Sequence, residues 1–599
     1  MKKAKRSESA GRLSARAVWR ESLLANRAPL ATCGLALLIY LPSLFCGFIR
    51  DDYPQIVNNR QVQSWEYLPQ LLGSHLWSQI ARDETILFYR PIFSVWMLLL
   101  HTIGGLEPWF WHLSNLLLHG VATYLVYRFC RRLTGSGAGA VAAAAIFAVH
   151  PIHVEAVTWV SASCEILCTI FALAAMQTLL HDNGDNDDNK NVNRQVWISA
   201  LWFGAALFAK ETGIAMLAIL PVLAWVRLRD MVAGKERFWK AGYPYGAVAA
   251  CYLLIRWAVM RRMGMEIGEH SWAEVIFSGP SILLYYWKKL FVPLELSGCY
   301  VTPLTGSPTP LFWLQVAGIL IFLAATAWLA FRYRPLLALA AALIVIPVLL
   351  ALAVIRVYPQ GDMTHDRYLY LPSIGLSLLV AMLVEDLWSR GRSARTAVMA
   401  VGVAVVAAFS ALTFTQQKYY HDDMAFCLRV IAVSPSDAFA HGQLGNLYLD
   451  QGRVDVALEQ FWTGHQLDPG NEKVTLFLAR GLFVAGQYKN SETVLRELLQ
   501  TKGLSTRRRN SAQISLANVE ISLGNLADAQ QLLEQVERRD GHFPELHWAW
   551  GVLYQKQGML PQAQAEFEKE FEITGDLQAQ QRSALLARLI YSQSKGQVH

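Results

Sequence analysis

Two adjacent carboxylates, Asp51 and Asp52, follow directly on the first long apolar run of the chain, residues 30–49. Ionisable acids at the mouth of a membrane helix are costly to keep there unless a site uses them. A carboxylate so placed can take the proton of a hydroxyl that is about to attack an electrophile. Either of the two fits that role, and the residues alone do not choose between them. Arg90, Lys210 and Arg367 stand at the ends of later apolar runs, where cations can hold a phosphate leaving group and the charge it gains. His150, His153, Glu155, Glu165, Glu211 and Asp366 occupy comparable positions and are expected to shape the site and place an acceptor. A base, a hydroxyl and a cation-held phosphate suit sugar transfer from a lipid phosphate, with inversion at the anomeric carbon. Plainer readings stand beside these. Arg90 or Lys210 can snorkel to an interface, Glu211 can neutralise Lys210, and Asp366 can pair with Arg367 to support a turn.

Metal chemistry has little support in the spacing. His150-x-x-His153-x-Glu155 lacks the His-Glu-x-x-His pattern, and Pro151 disfavours a regular helix carrying both histidines. The eight cysteines form no Cys-x-x-Cys pair and lie mostly in or beside apolar runs, as buried small residues do. No metal site and no obligatory cofactor are expected; whether a divalent cation assists at the phosphate stays open.

These residues need a membrane domain to bring them together. Of 599 residues 54% are hydrophobic and 17% charged, which is apolar for a soluble protein. The net charge of +7 is spread over short loops, the pattern of cytoplasmic membrane loops rather than of a nucleic-acid surface. Residues 1–29 read as a basic cytoplasmic tail before an uncleaved first helix. Residues 30–415 read as a polytopic helix bundle of about eleven spans, ~20 residues each. Its external loops are expected at 50–108 and 261–310, and basic clusters such as Arg131-Arg132 and Arg332-Tyr333-Arg334 mark inner ends. This topology sends every candidate residue above to the external face. Arg261-Arg262 and Lys288-Lys289 fall on that face too, against the charge rule.

Residues 421–599 repeat themselves. Leu444-Gly445-x-x-Tyr448, Gly452, Ala457, Phe461 and Pro469 occupy tetratricopeptide-repeat offsets. The pattern returns about 34 residues later at Leu478-Ala479, Gly486 and Leu495. It recurs at Leu516-Ala517, Gly524, Ala529 and Leu533, and again at Trp550-Gly551-x-x-Tyr554, Gly558, Ala563 and Phe567. Residues 421–435 are expected to supply a leading half-repeat and 578–594 a capping helix. The whole fold is thus all-α: a membrane bundle followed by a soluble solenoid whose concave face suits a peptide or protein. An odd span count puts that solenoid outside the cytoplasmic (inner) membrane.

Arg50-Asp51-Asp52, Tyr89-Arg90-Pro91, Trp111-His112-Leu113-Ser114-Asn115, His150-Pro151-Ile152-His153-Val154-Glu155-Ala156, Lys210-Glu211 and Asp366-Arg367-Tyr368-Leu369-Tyr370 occur in that order. With the repeats that follow, the chain resembles the transmembrane-and-tetratricopeptide-repeat O-mannosyltransferase family and its bacterial relatives. The resemblance implies a C-type (GT-C) glycosyltransferase using a polyprenyl-phosphate sugar, with Asp51 and Asp52 as the catalytic motif. It implies a hexose such as mannose, a protein Ser/Thr acceptor bound by the repeats, and a segment 91–107 lying along the external surface. One departure stands out: relatives often carry a Gly-Arg-x-Glu-like stretch where this chain has Ser161-Ala162-Ser163-Cys164-Glu165. Glu165 is kept and the arginine is absent. Transfer to a lipid or polysaccharide, a non-catalytic membrane-anchored scaffold, and a transporter are the rival readings. The charged cluster speaks against an inert anchor, and no pair of inverted halves suggests a transporter.

Overall fold

Each apolar run read above is helical in the computed structural model, which describes residues 27–78, 88–180, 189–228, 234–260, 270–354, 363–574 and 577–596. Most of the N-terminal tail, much of the polar loop after 180, and Arg261-Arg262 lie outside the described residues. Among those described there is no strand, only an isolated antiparallel bridge between Tyr300 and Thr364.

The helices of the first unit are α1 (Arg27–Phe45), α2 (Leu68–Gly73), α3 (Pro91–Gly104), α4 (Pro108–Thr134), α5 (Gly137–Val149), α6 (Val154–Thr158), α7 (Ser163–Leu179) and α8 (Asn189–Ala209). They continue as α9 (Met216–Leu228), α10 (Gly234–Met260), α11 (Trp272–Phe291), α12 (Pro310–Arg332), α13 (Leu336–Val354), α14 (Ser373–Ser389), α15 (Arg392–Gln416) and α16 (Asp423–Val433). Their ends follow local chemistry. α4 stops after Arg131-Arg132 at Gly135, whose φ of +71° only glycine adopts easily. α11 starts on a Ser271/Glu274 capping box.

Among the described residues four stretches are long and apolar enough to cross a membrane: α1, Val160–Leu179 with α7, α12, and Arg392–Tyr420 with α15. A fifth forms if α5 and the segment Pro151–Thr158, bent from it by 49°, count together. The other helices matching expected spans are shorter or carry polar and charged ends, as α4, α8 and α10 do. α3 has 14 residues, too short for the ~20 that a spanning helix needs.

The spanning helices differ in what they face. Buried residues make up 83% of the apolar window in Val160–Leu179, against 6% in α12 and 6% in Arg392–Tyr420. α7 is therefore a core helix, while α12 turns Leu314, Ile321, Phe322 and Phe331 outward, a surface suited to lipid. Small residues bring helices close: a Cβ on Gly139 of α5 would stand 2.5 Å from the Ala381 carbonyl of α14. Beside these helices, Phe48, Ile56, Val62 and Leu71 pack with Phe93, Trp111, Val160 and Leu167. That core anchors the loop carrying the Asp pair.

The chain divides into two compact units, residues 1–433 and 434–599. The second holds four antiparallel helix pairs, beginning with Ala438–Asp450 and Val454–Leu467 and ending with Leu546–Lys556 and Leu560–Thr574, then a last helix Leu577–Gly596. These are the four repeats and the cap expected. Gly452, Gly486, Gly524 and Gly558 all turn between paired helices at φ of +73 to +88°. The expected leading half-repeat differs. Its helix, α16, groups with the first unit because Phe426 and Arg429 pack on residues 296–298 there.

Candidate active site

α1 ends in a turn whose backbone is fixed residue by residue. The Gly47 N–H donates to the His421 carbonyl at 2.9 Å, and the Arg50 N–H donates to Asp423 Oδ1 at 2.8 Å. Arg50 takes a φ of +51°, which side-chain-bearing residues rarely adopt. The two carboxylates that follow are in opposite environments. Asp52 is fully buried; its Oδ2 accepts from the Ile49 N–H at 3.0 Å, and its Oδ1 accepts from the Ser161 N–H at 2.8 Å and from the Ser161 hydroxyl. Burial pushes its carboxyl up to about 7, opposed chiefly by the Ser161 hydrogen bond. Asp51 is part-exposed.

Ser161 leads to the cations. Two residues earlier, the Trp159 ring lies under the Arg367 guanidinium at 4.8 Å. Arg367 also donates to Glu155 twice, from its backbone N–H to Oε2 at 2.9 Å and from Nη1 to Oε1 at 2.6 Å. The Tyr368 ring is shared by Arg367 at 5.6 Å and by the Lys210 ammonium at 4.8 Å. Lys210 pairs with Glu165 on α7, both buried. Arg90 donates from Nε to Glu211 Oε2 at 2.9 Å and reaches Cys164 Sγ from Nη1 at 3.7 Å. Three cations distant in sequence are thus gathered around the start of α7, each on its own carboxylate. At the 161–165 stretch itself, Arg90, just ahead of α3, reaches Cys164, and Lys210, just past the end of α8, pairs with Glu165.

The remaining expected residues are held by hydrogen bonds of their own. Both ring nitrogens of His150 are engaged, Nε2 with the Leu290 carbonyl at 3.0 Å and Nδ1 with the Ile152 N–H at 3.2 Å. His153 meets the Phe147 carbonyl at 2.8 Å and Ser373 Oγ at 2.9 Å. The pair fixes the bend after α5. Among the described residues no group of three His, Cys, Asp or Glu is arranged to hold a metal ion. Asp366 turns away from Arg367, accepting from the Tyr300 hydroxyl at 2.8 Å and the Ser297 N–H at 3.2 Å. The Asp366–Arg367 pair considered from sequence does not form, since Glu155 takes the arginine. Glu211 pairs with Arg90 rather than with its neighbour Lys210.

Residues 89–259 match the family described as dolichyl-phosphate-mannose-protein mannosyltransferase. That stretch holds Arg90, the His150–Glu155 turn, Glu165 and Lys210-Glu211. Human protein O-mannosyl-transferase TMTC3 is 22% identical over 586 residues, 90% of this chain and 63% of the relative. The chain is similar to protein O-mannosyl-transferases over nearly its whole length. A Caenorhabditis elegans protein O-mannosyl-transferase, F38B6.6, is 25% identical over 73% of this chain and 62% of its own. The chain therefore spans a little under two thirds of either relative. Among solved structures, ArnT from Cupriavidus metallidurans bound to undecaprenyl phosphate is 15% identical over 80% of this chain and 81% of that one, with a TM-score of 0.40.

Three residues of the site were given no role from sequence, although Ser161 opens the stretch that departs from the relatives. Ser161 lies 109 positions from the carboxylate it holds, and Asp423 lies 373 from the Arg50 N–H; no local spacing marks either. Trp159 had a weaker signal, as an aromatic just past the His-Pro-x-His turn.

Proposed function

We propose that the protein is a C-type membrane glycosyltransferase that moves a hexose, mannose by likeness to its relatives, from a polyprenyl phosphate to Ser or Thr of a protein. The reaction runs on the external face of the inner membrane, with the N-terminus cytoplasmic and the repeats binding the acceptor. The observation that carries this reading is the contrast within the Asp pair. Asp52, held by three donors in full burial, anchors the turn, while Asp51 is part-exposed and is read as the base.

Asp51 takes the hydroxyl proton as the acceptor oxygen bonds to the anomeric carbon. The bond from that carbon to the phosphate oxygen breaks on the opposite side, and its electron pair leaves with the phosphate. Arg90, Lys210 and Arg367 receive the charge. Each is aimed by a carboxylate, and guanidinium and ammonium groups are the side chains whose N–H donors and charge suit phosphate. Because these cations supply the positive charge, no divalent cation is required, and turnover in EDTA is expected to match turnover without it.

Incubating membranes that contain the protein with radiolabelled polyprenyl-phosphate mannose and acceptor protein tests the proposal. Label is expected on Ser/Thr peptides with the wild type and not with Asp51→Asn. Label confined to lipid or polysaccharide would overturn the protein-acceptor reading, and unchanged labelling by Asp51→Asn would overturn the mechanism.

A further inference from the structure

The φ of +51° at Arg50 fixes the direction in which the next residue, Asp51, leaves the turn. In a residue with a Cβ this conformation is strained and persists only where the surroundings hold it. The holding groups come from 421–426, the stretch just before the repeats. Asp423 Oδ1 accepts from the Arg50 N–H, the Phe426 ring lies 5.5 Å from the Arg50 guanidinium carbon, and the His421 carbonyl accepts from the Gly47 N–H.

That stretch is itself held from the other side. The Phe426 ring fills the space over Gly298, where a Cβ would come within 2.3 Å of it, and packs edge-on against Trp159 at 5.6 Å. Arg429 Nε donates to the Leu296 carbonyl at 2.8 Å. α16 is therefore a fixed brace, and Asp423 is its contact with the strained backbone.

We propose that Asp423 is a positioning residue for the transfer reaction: by accepting the Arg50 N–H it keeps Arg50 left-handed and so aims the Asp51 carboxylate. The proposal rests on the reading of Asp51 as the base. Asp423 acts through the Arg50 backbone, so its removal is expected to lower turnover without changing how the donor binds. What matters is an acceptor oxygen at that place, not its charge. A glycine at position 50 needs no such hold, because it takes positive φ without a Cβ clash.

The test uses the purified full-length protein in lipid nanodiscs, with polyprenyl-phosphate mannose and an acceptor protein. Asp423→Ala is expected to lose ten- to a hundredfold in kcat with the donor KM within about twofold, a range typical of a displaced base. Asp423→Asn, which keeps the oxygen, stays within about threefold of wild type. Arg50→Gly added to Asp423→Ala recovers a large part of the loss. Hydrogen exchange of peptide 47–53 reads the same hold without activity: it speeds up in Asp423→Ala and not in Asp423→Asn. Unchanged kcat in Asp423→Ala while Asp51→Asn is inactive would overturn this proposal alone. So would an Asp423→Asn as impaired as the alanine variant, or a kcat loss that Arg50→Gly leaves untouched. If Asp51→Asn turns over normally, the base reading falls first, and the proposal with it.

Discussion

Asp51 and Asp52 differ by one position and by everything around them. Asp51→Asn removes a part-exposed carboxylate with little change of shape, so kcat is expected to fall by about 10²–10⁴. Asp52→Asn is a structural change. Both oxygens of Asp52 accept from N–H donors, so an amide in either orientation turns its NH2 towards one of them. The expected destabilisation is about 1–3 kcal/mol, read by thermal unfolding. Asp52 also sets a pH dependence. Its folded-state value of about 7 lies above that of an unfolded carboxylate, so folding takes up a proton in the window between them. The stability it contributes is full below about pH 4 and is lost as pH rises through about 7. Asp366, pushed up to about 7 mainly by burial, acts in the same direction. Buried His150, His153 and Lys210, shifted down by burial, act in the opposite direction, so the Asp52 part is read as a difference. The melting temperature of wild type minus that of Asp52→Asn should be larger at pH 5 than at pH 8, and a gap that widens towards pH 8 would contradict this. The functional weight of the pair was legible in its place after an apolar run. Its division of labour was not, because that depends on Ser161, which only the fold brings near.

Helices were the most legible level. Apolar runs became helices, and repeat offsets became helix pairs, because both rest on local periodicity. The ion pairs between elements were less so: Lys210 finds Glu165 and Arg90 finds Glu211 through the packing of α3 and α8 against α7, which no spacing encodes. Glycine positions link the two levels. In the repeats, a Cβ at Gly481 would stand 2.4 Å from the ring of Phe461, itself fully buried. Gly481, which the repeat offsets do not mark, is therefore the small residue that lets the helix pair before it seat its phenylalanine. Gly481→Val is expected to destabilise the repeat unit by about 1–3 kcal/mol through overpacking. Urea unfolding would measure this as a lower midpoint at an unchanged slope. A variant as stable as wild type would mean that the ring moves freely there.

At the scale of the whole chain, the change from apolar to polar composition announced two units, but their border was displaced. α16 has the apolar face of a half-repeat, and read alone it belongs with the helices that follow. Its partners are Gly298 and the Arg50 turn, far away in sequence, so only tertiary packing returns it to the first unit. This border makes the roles of the two units separable. A chain ending after Val433 retains Asp423, Phe426 and Arg429, and with them the hold on the Arg50 turn. It is expected to consume polyprenyl-phosphate mannose with a short Ser/Thr peptide at a rate near that of the full chain, while its KM for a protein acceptor rises at least tenfold. A chain ending after Tyr420 keeps the spans and the Asp pair but loses α16. Its kcat with the same peptide should fall as far as that of Asp423→Ala or further. Equal rates from the two truncated chains would remove α16 from any part in turnover. An unchanged KM for the protein acceptor in the chain ending after Val433 would show that the repeats do not recruit it.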